Sequence, residues 1–156
     1  HRNLLNAADD PVKVVFHPEF ITSTSPILGL EYDQFVRGCN LGVFPSYYEP
    51  WGYTPLESIA FSVPTITTDL SGFGQWIKSI DAKLGVEVVH RSDYNFSEVV
   101  NSIATLLNEY FSKKPTEVKT ARQTALDISK KALWDEFIKY YYDAYTIALK
   151  NRDKRN

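Results

Sequence analysis

The chain has 156 residues, 44% of them hydrophobic, 23% charged and 14% aromatic, which is enough apolar material for one compact core and excludes a disordered chain. A formal net charge of −2 gives no electrostatic reason to expect nucleic acid or an anionic membrane surface as partner, and no apolar run is long enough to span a bilayer. The single cysteine, Cys39, excludes an internal disulfide framework and fits a reducing compartment, and with no signal-peptide pattern at the amino-terminus we read the chain as cytoplasmic.

Residues 1–11 have no caps, little periodicity and a turn-like Asp9-Asp10-Pro11, so they read as an irregular lead-in. The chain contains no methionine, and together these features suggest that an amino-terminal partner segment is missing. Val12-Lys13-Val14-Val15-Phe16 predicts a strand ended by His17-Pro18, and Glu31 to Cys39 a short helix with Phe35 and Val36 on its apolar side. Leu41 to Pro45 reads as a buried strand. A loop carrying Glu49 follows, then a helix over Pro55–Ser62 and a β-branched strand over Pro64–Thr68. Leu70-Ser71-Gly72-Phe73-Gly74 leads into an amphipathic helix through Trp76, Ile77 and Ile80, and Val86–Val89 is the next strand.

Strand and helix alternate over residues 12–94, which implies an α/β fold: a Rossmann-like parallel sheet with right-handed crossovers and helices on both faces. Residues 95–150 are wholly helical in pattern. Val100, Ile103, Leu107, Tyr110 and Phe111 mark one apolar face and Leu133, Phe137, Tyr140, Ala144 and Ile147 another, with a fresh helix start at Pro115-Thr116-Glu117. Asn95-Phe96-Ser97 matches a glycosylation acceptor pattern, but Ser97 is better explained as a helix cap. Residues 151–156 are a charged tail expected to fray. With no linker or repeat, residues 1–156 are taken as a single domain.

The chemistry concentrates in Glu49-Pro50-Trp51-Gly52-Tyr53-Thr54-Pro55-Leu56-Glu57. Glu49 sits on a loop at the carboxyl end of a strand and beside a helix amino-terminus, the crevice in which open α/β sheets bind nucleotides and phosphates. Backbone N–H groups of Tyr53 and Thr54 lack intrahelical acceptors and point toward an anion, while Gly52 permits close backbone approach. Thr54-Pro55-Leu56-Glu57 also has capping-box spacing, with Thr54 as cap and Glu57 reaching back, an account that needs no ligand. His1, His17 and His90 are scattered and share no metal-ligand spacing with Cys39. No Asp-any-Asp pair is present, so no metal or other cofactor is expected. His17 either lines the cleft or is a satisfied structural histidine, and Cys39 reads as an inert buried thiol.

These residues also carry a family resemblance. Phe16-His17-Pro18-Glu19-Phe20, Gly29 through Cys39, Leu41 through Pro55, and Leu70-Ser71-Gly72-Phe73-Gly74 occur in the order found in the carboxyl-terminal part of glycogen synthases of the animal and fungal type. The similarity covers most of residues 12–90 and, more loosely, the helices after them. The resemblance implies the second, donor-binding domain of a retaining GT-B glycosyltransferase, with the amino-terminal acceptor domain absent from this chain. The implied reaction moves glucose from UDP-glucose to the non-reducing end of an α-1,4-glucan with retention. ADP-glucose as donor, or a non-catalytic nucleotide-sugar or glucan binding module, are the alternatives.

By this resemblance the carboxylate of Glu49 lies near the anomeric carbon, as nucleophile or electrostatic partner, and is otherwise a solvated loop acid. Trp51 and Gly52 amides reach the sugar and Tyr53 and Thr54 the phosphates, although Trp51 could instead be a core aromatic. Glu57 accepts hydrogen bonds from the ribose hydroxyls. Phe20 and Tyr32 flank the uracil ring, or else are packing residues. Ser71–Gly74 either wraps the donor or only starts the next helix. Implied partners of the whole protein are the nucleotide sugar, a glucan held by the missing domain, glycogenin and further copies of itself. Family members carry an arginine-rich helix that binds glucose 6-phosphate in the region matching Lys113 to Arg122. Here that region has Lys113, Lys114, Lys119 and Arg122, interrupted by Pro115, and lysine lacks the bidentate fork that such a phosphate site uses.

Overall fold

The computed structural model describes residues 6–82 and 84–154, and the chain divides between positions 35 and 36 into two compact units. In the first unit the strand expected over Val12–Phe16 does not form. Val12 and Val15 are each 70% exposed and Phe16 82%. A strand needs a ladder partner and a face to bury, and the side-chain amide of Asn6 takes both backbone groups of Val14 instead. Asn6 Nδ2 donates to Val14 O at 2.7 Å and Val14 N–H donates to Asn6 Oδ1 at 2.8 Å. Of the irregular lead-in, residues 1–5 lie outside the described residues. Helix α1 (Tyr32–Gly38) forms where expected, with Glu31 N–H bound by the Gln34 side chain at its start.

The second unit contains the sheet: β1 (Gly42–Phe44), β2 (Thr65–Thr68) and β3 (Val86–Val89), all parallel, in the spatial order β1-β2-β3. Val43 pairs with Ile66, and Ile66 with Glu87. Helix α2 (Tyr53–Ala60) connects β1 to β2, and α3 (Gly72–Ser79) connects β2 to β3. Both pack on one face, as two successive crossovers of the same hand must. There Ile59, Phe73, Ile77 and Val86 form a core with Ala125 and Ile128 of α5 (Pro115–Lys130). The opposite face buries Ile66 and Val89 under Val99, Ile103, Leu106 and Leu107 of α4 (Phe96–Phe111). Alternation along β3 divides it between the layers, with Val86 and Val88 toward the first core and Val89 toward the second.

Two expectations about the carboxyl-terminal helices need correction. On α4 the buried positions are Val99 and Tyr110, whereas Val100 and Phe111 remain 47% and 66% exposed. The apolar stripe thus runs through Val99, Ile103, Leu106, Leu107 and Tyr110, which keeps Ile103, Leu107 and Tyr110 of the expected face and replaces Val100 and Phe111. The hydroxyl of Tyr110 fixes this rotation by donating to Asn40 O at 2.7 Å. On α6 (Trp134–Asp153) no residue is buried, and Leu133, Tyr140 and Ile147 of the expected apolar face are exposed. Helix α6 continues through Asp153, so positions 151–153 are helical, and 155 and 156 lie outside the described residues. No described helix is long and apolar enough to cross a membrane.

Candidate functional site

Beyond the carboxyl ends of the strands, the loops after β1 and β2 are hydrogen-bonded to each other. Glu49 N–H donates to Leu70 O at 3.2 Å, Gly72 N–H to Glu49 O at 3.0 Å, and Phe73 N–H to Trp51 O at 2.7 Å. Glu49 and Ser71 thereby form an isolated parallel bridge that extends the β1–β2 pairing past the sheet. The Glu49 backbone is held on both sides while its side chain is left at the cleft. The chain then turns at Gly52, buried and at φ 118°, where a Cβ would lie 3.2 Å from both Phe73 Cβ and Pro55 Cγ. Only glycine takes that conformation without strain.

Gly52 is also the cap of α2, which corrects the expected capping box. Helix α2 starts at Tyr53, two residues earlier than the sequence suggests, and places Thr54 second and Pro55 third. Pro55 has no N–H to leave unsatisfied in the first turn, so the proline that seemed to mark position one is equally at home at position three. Glu57 consequently sits a turn inside the helix on an exposed face. The reciprocal glutamate contact occurs on α5 instead, where Lys114 N–H donates to the Glu117 carboxylate at 2.8 Å. Ser97 is likewise not a cap: α4 is preceded by Asn95, whose side chain accepts from Ser92 N–H at 2.7 Å and donates to His90 O at 3.1 Å.

A glycine cap has no side chain to offer, so the Tyr53 and Thr54 amides at the positive end of α2 are left for another acceptor. Gly52 and Thr54 of this helix start line a cleft of about 300 Å³ together with Phe44, Pro45, Ser46, Glu49 and Pro55. Glu49, Gly52 and Thr54 are therefore brought together. Tyr53 is 72% exposed and does not line this cleft with its side chain, nor does Glu57. The ring of Trp51 turns the other way, into an aromatic cluster with Trp76 at 5.9 Å, Phe137 at 5.6 Å and Phe73 at 6.3 Å. Its side chain is a half-buried core aromatic, so any contact to a ligand in the cleft falls to its backbone. Ser71 caps α3 by accepting from Gly74 N–H at 3.0 Å, which accounts for the Ser71–Gly74 loop as a helix start.

Phe20 and Tyr32 belong to the first unit, where Phe20 is 94% exposed and Tyr32 opens α1 at 38% exposure. His17 is not a satisfied structural histidine: its Nε2 is buried and has no hydrogen-bond partner among the described residues. Cys39 is half-buried, and burial pushes its thiol pKa up, in keeping with an unreactive thiol.

Asp69 and Arg91 were not singled out from the sequence. Each follows directly on a β-branched run, Asp69 after β2 and His90-Arg91 after β3, and a charge immediately beyond a buried parallel strand is the signal that could have found them. Asp69 is 6% exposed and gathers three donors: Arg91 N–H at 2.9 Å, His90 Nδ1 at 2.8 Å and Lys78 Nζ at 3.2 Å. Burial is the largest single influence on its carboxyl and pushes the pKa up. The hydrogen bonds from His90, Arg91 and Lys78, with the charge of His90, outweigh it and hold the group below the ordinary carboxylate range. A depressed carboxyl stabilises the fold fully above its unfolded pKa of about 4 and loses that contribution as pH falls through the folded value. The melting temperature of Asp69→Asn should therefore lie furthest below that of the native chain at pH 6 to 7, with the gap closing below about pH 4. A gap unchanged across that range would show that the carboxylate's charge does not matter here.

Parallel strands ending in a carboxylate-bearing loop, next to a helix amino-terminus with uncapped amides, define a Rossmann-like α/β domain with a crevice at the strand ends. Comparison with known proteins narrows the class. Residues 1–154 match the family profile described as glycogen synthase. The chain is 42% identical over 155 residues to glycogen [starch] synthase isoform 1 of Saccharomyces cerevisiae, covering 96% of this chain and 22% of that protein. It is 40% identical over 151 residues to glycogen [starch] synthase of Caenorhabditis elegans, covering 94% and 22%. Against the liver glycogen [starch] synthase of Mus musculus the identity is 39% over 149 residues, covering 94% and 21%. The chain belongs to the glycogen synthase family, and it spans about a fifth of the length of these relatives.

Proposed function

We propose that this chain is the donor-binding part of a cytoplasmic retaining glycosyltransferase that moves glucose from UDP-glucose to the non-reducing end of an α-1,4-glucan. The observation that carries the reading is the convergence of Glu49 with Gly52 and Thr54, at the start of α2 that no side chain caps, on one cleft at the strand ends. Family membership and relatives named glycogen [starch] synthase support the choice of reaction. The amides and the α2 dipole take the diphosphate and stabilise the negative charge that grows on it as the bond from C1 to the phosphate oxygen breaks. Glu49 faces the anomeric carbon and stabilises the positive charge developing there, and the new bond forms from the acceptor hydroxyl on the same face of the sugar as its proton passes to the departing phosphate oxygen. Gly52 lets the backbone approach the sugar, and Glu57 accepts from the ribose hydroxyls. In this reading the chemistry needs no metal, and the acceptor glucan is held by another part of the protein.

Calorimetric titration of the chain with UDP, ADP and UDP-glucose tests the reading. Binding of UDP in clear preference to ADP is the expected result. An ADP preference would replace the donor, and glucan binding without any nucleotide affinity would replace the enzyme by a binding module. Glu57→Ala is expected to weaken UDP binding about tenfold, the worth of a charged hydrogen bond, with little change in melting temperature because the side chain is exposed. Unaltered UDP affinity would remove Glu57 from the ribose site.

A further inference from the structure

Arg91 is 5% exposed, and among the described residues no carboxylate pairs with its guanidinium. Its Nε is buried without a hydrogen-bond partner. Burying a cation with so little compensation is costly, and its remaining contacts show what holds it there. Nη1 donates to Pro45 O at 2.7 Å, and the guanidinium carbon lies 3.4 Å from the centre of the Tyr47 ring. Both contacts are to the segment between β1 and Glu49. A third tie reaches the same segment from β2, where Thr68 Oγ1 donates to Ser46 O at 2.7 Å. Arg91 is itself anchored, since its N–H donates to Asp69 Oδ1. Pro45 and Ser46 line the cleft with Glu49.

From this arrangement we propose that Arg91 is a positioning residue for Glu49. Its planar guanidinium, fixed at the end of β3, clamps the 45–47 segment between a carbonyl bond and an aromatic face. The proposal rests on the glycosyl-transfer reading above, because it assigns Arg91 to setting the distance between that carboxylate and the anomeric carbon. Among the described residues Glu49 itself is otherwise held through its backbone, by Leu70 and Gly72. Without the clamp the segment before Glu49 would keep only the Thr68 bond to Ser46 O, and Pro45 and Tyr47 could shift and carry the carboxylate with them.

The test is steady-state kinetics with UDP-glucose in the full-length protein that carries this chain. Arg91→Ala is expected to lower kcat roughly 10- to 100-fold, the effect of about 1 Å of misplacement, with KM for UDP-glucose within about threefold of normal. Arg91→Lys should recover the melting temperature but not kcat, because a point-charge ammonium has neither the plane to cover Tyr47 nor the fork to hold Pro45 O at the same time. Introduced into Glu49→Gln, Arg91→Ala should cost little more, since both act through one carboxylate. A kcat for Arg91→Ala within about twofold of normal, a KM that rises as kcat falls, or a fully multiplicative loss in the double variant would each overturn the proposal. If Arg91→Ala fails to fold, Arg91→Lys and Tyr47→Leu decide on the same kcat and KM criteria. Loss of turnover in Glu49→Gln with normal turnover in Arg91→Ala would overturn the clamp alone. Normal turnover in Glu49→Gln would overturn the clamp and the glycosyl-transfer reading together.

Discussion

In the full-length protein, Glu49→Gln is expected to reduce turnover by roughly two to three orders of magnitude while leaving UDP-glucose affinity within about threefold. The asymmetry follows from where charge is needed. On the proposed reading the ground-state glucose is neutral and its diphosphate is held by the α2 amides, so removing one negative charge from the loop is expected to cost little binding. On the same reading the anomeric centre carries partial positive charge in the transition state, and only then would the carboxylate contribute. Glutamine preserves volume and the Glu49 backbone bonds to Leu70 and Gly72, so the loop itself should stay in place. The measurement is kcat and KM by initial rates, with donor affinity from calorimetry. Turnover within threefold of normal would exclude Glu49 from the chemistry.

Gly72→Ala should be strongly destabilising, lowering the melting temperature by roughly 10 °C, which corresponds to about 3 kcal/mol. A Cβ at position 72 would lie 2.3 Å from Pro50 O and 3.1 Å from Trp51 Cα, both of them backbone. A flexible side chain could swing aside, but these atoms belong to the strip that ties the loop after β1 to the loop after β2. Relief therefore requires parting that strip, which would carry Glu49 away from the cleft and reduce donor binding as well. Gly38→Ala serves as the control, because an added Cβ there meets nothing within 4 Å. It is expected to be neutral or stabilising by up to about 1 kcal/mol. Thermal denaturation followed by circular dichroism compares the two directly. Equal melting temperatures would show that the loop strip is soft and that Gly72 is not what holds it.

The strands that were legible in the sequence, β1, β2 and β3, are those with a ladder partner and apolar residues packed in a core. Thr65 to Thr68 are all buried, and Val86–Val89 alternates between two cores, so their β-branched runs report directly on their surroundings. Val12–Phe16 has the same composition and is not a strand, because composition says nothing about whether a ladder partner is available. On α4 the choice between Val99 and Val100 as the inward residue depends on the Tyr110 bond to Asn40, two positions 70 residues apart in the chain. At the site, Glu49, Gly52, Tyr53 and Thr54 were identified correctly as neighbours of one helix start, since a strand-loop-helix segment is local. The starting residue itself was misassigned: Thr54-Pro55 resembles a cap, but the positive φ at Gly52 starts the helix two residues sooner.

The order of the secondary elements, the parallel sheet and the position of a carboxylate beside a helix amino-terminus were determined by the sequence alone. Each depends on contacts a few residues apart or on a periodicity written along the chain. Which side of Trp51 meets the cleft, which face of α4 turns inward, and the seating of Arg91 beneath the Pro45–Tyr47 segment were decided only by the tertiary structure. These depend on atoms from β1, β3, α3 and α6 meeting at fixed distances, and pairings over such separations leave no periodic trace in the sequence.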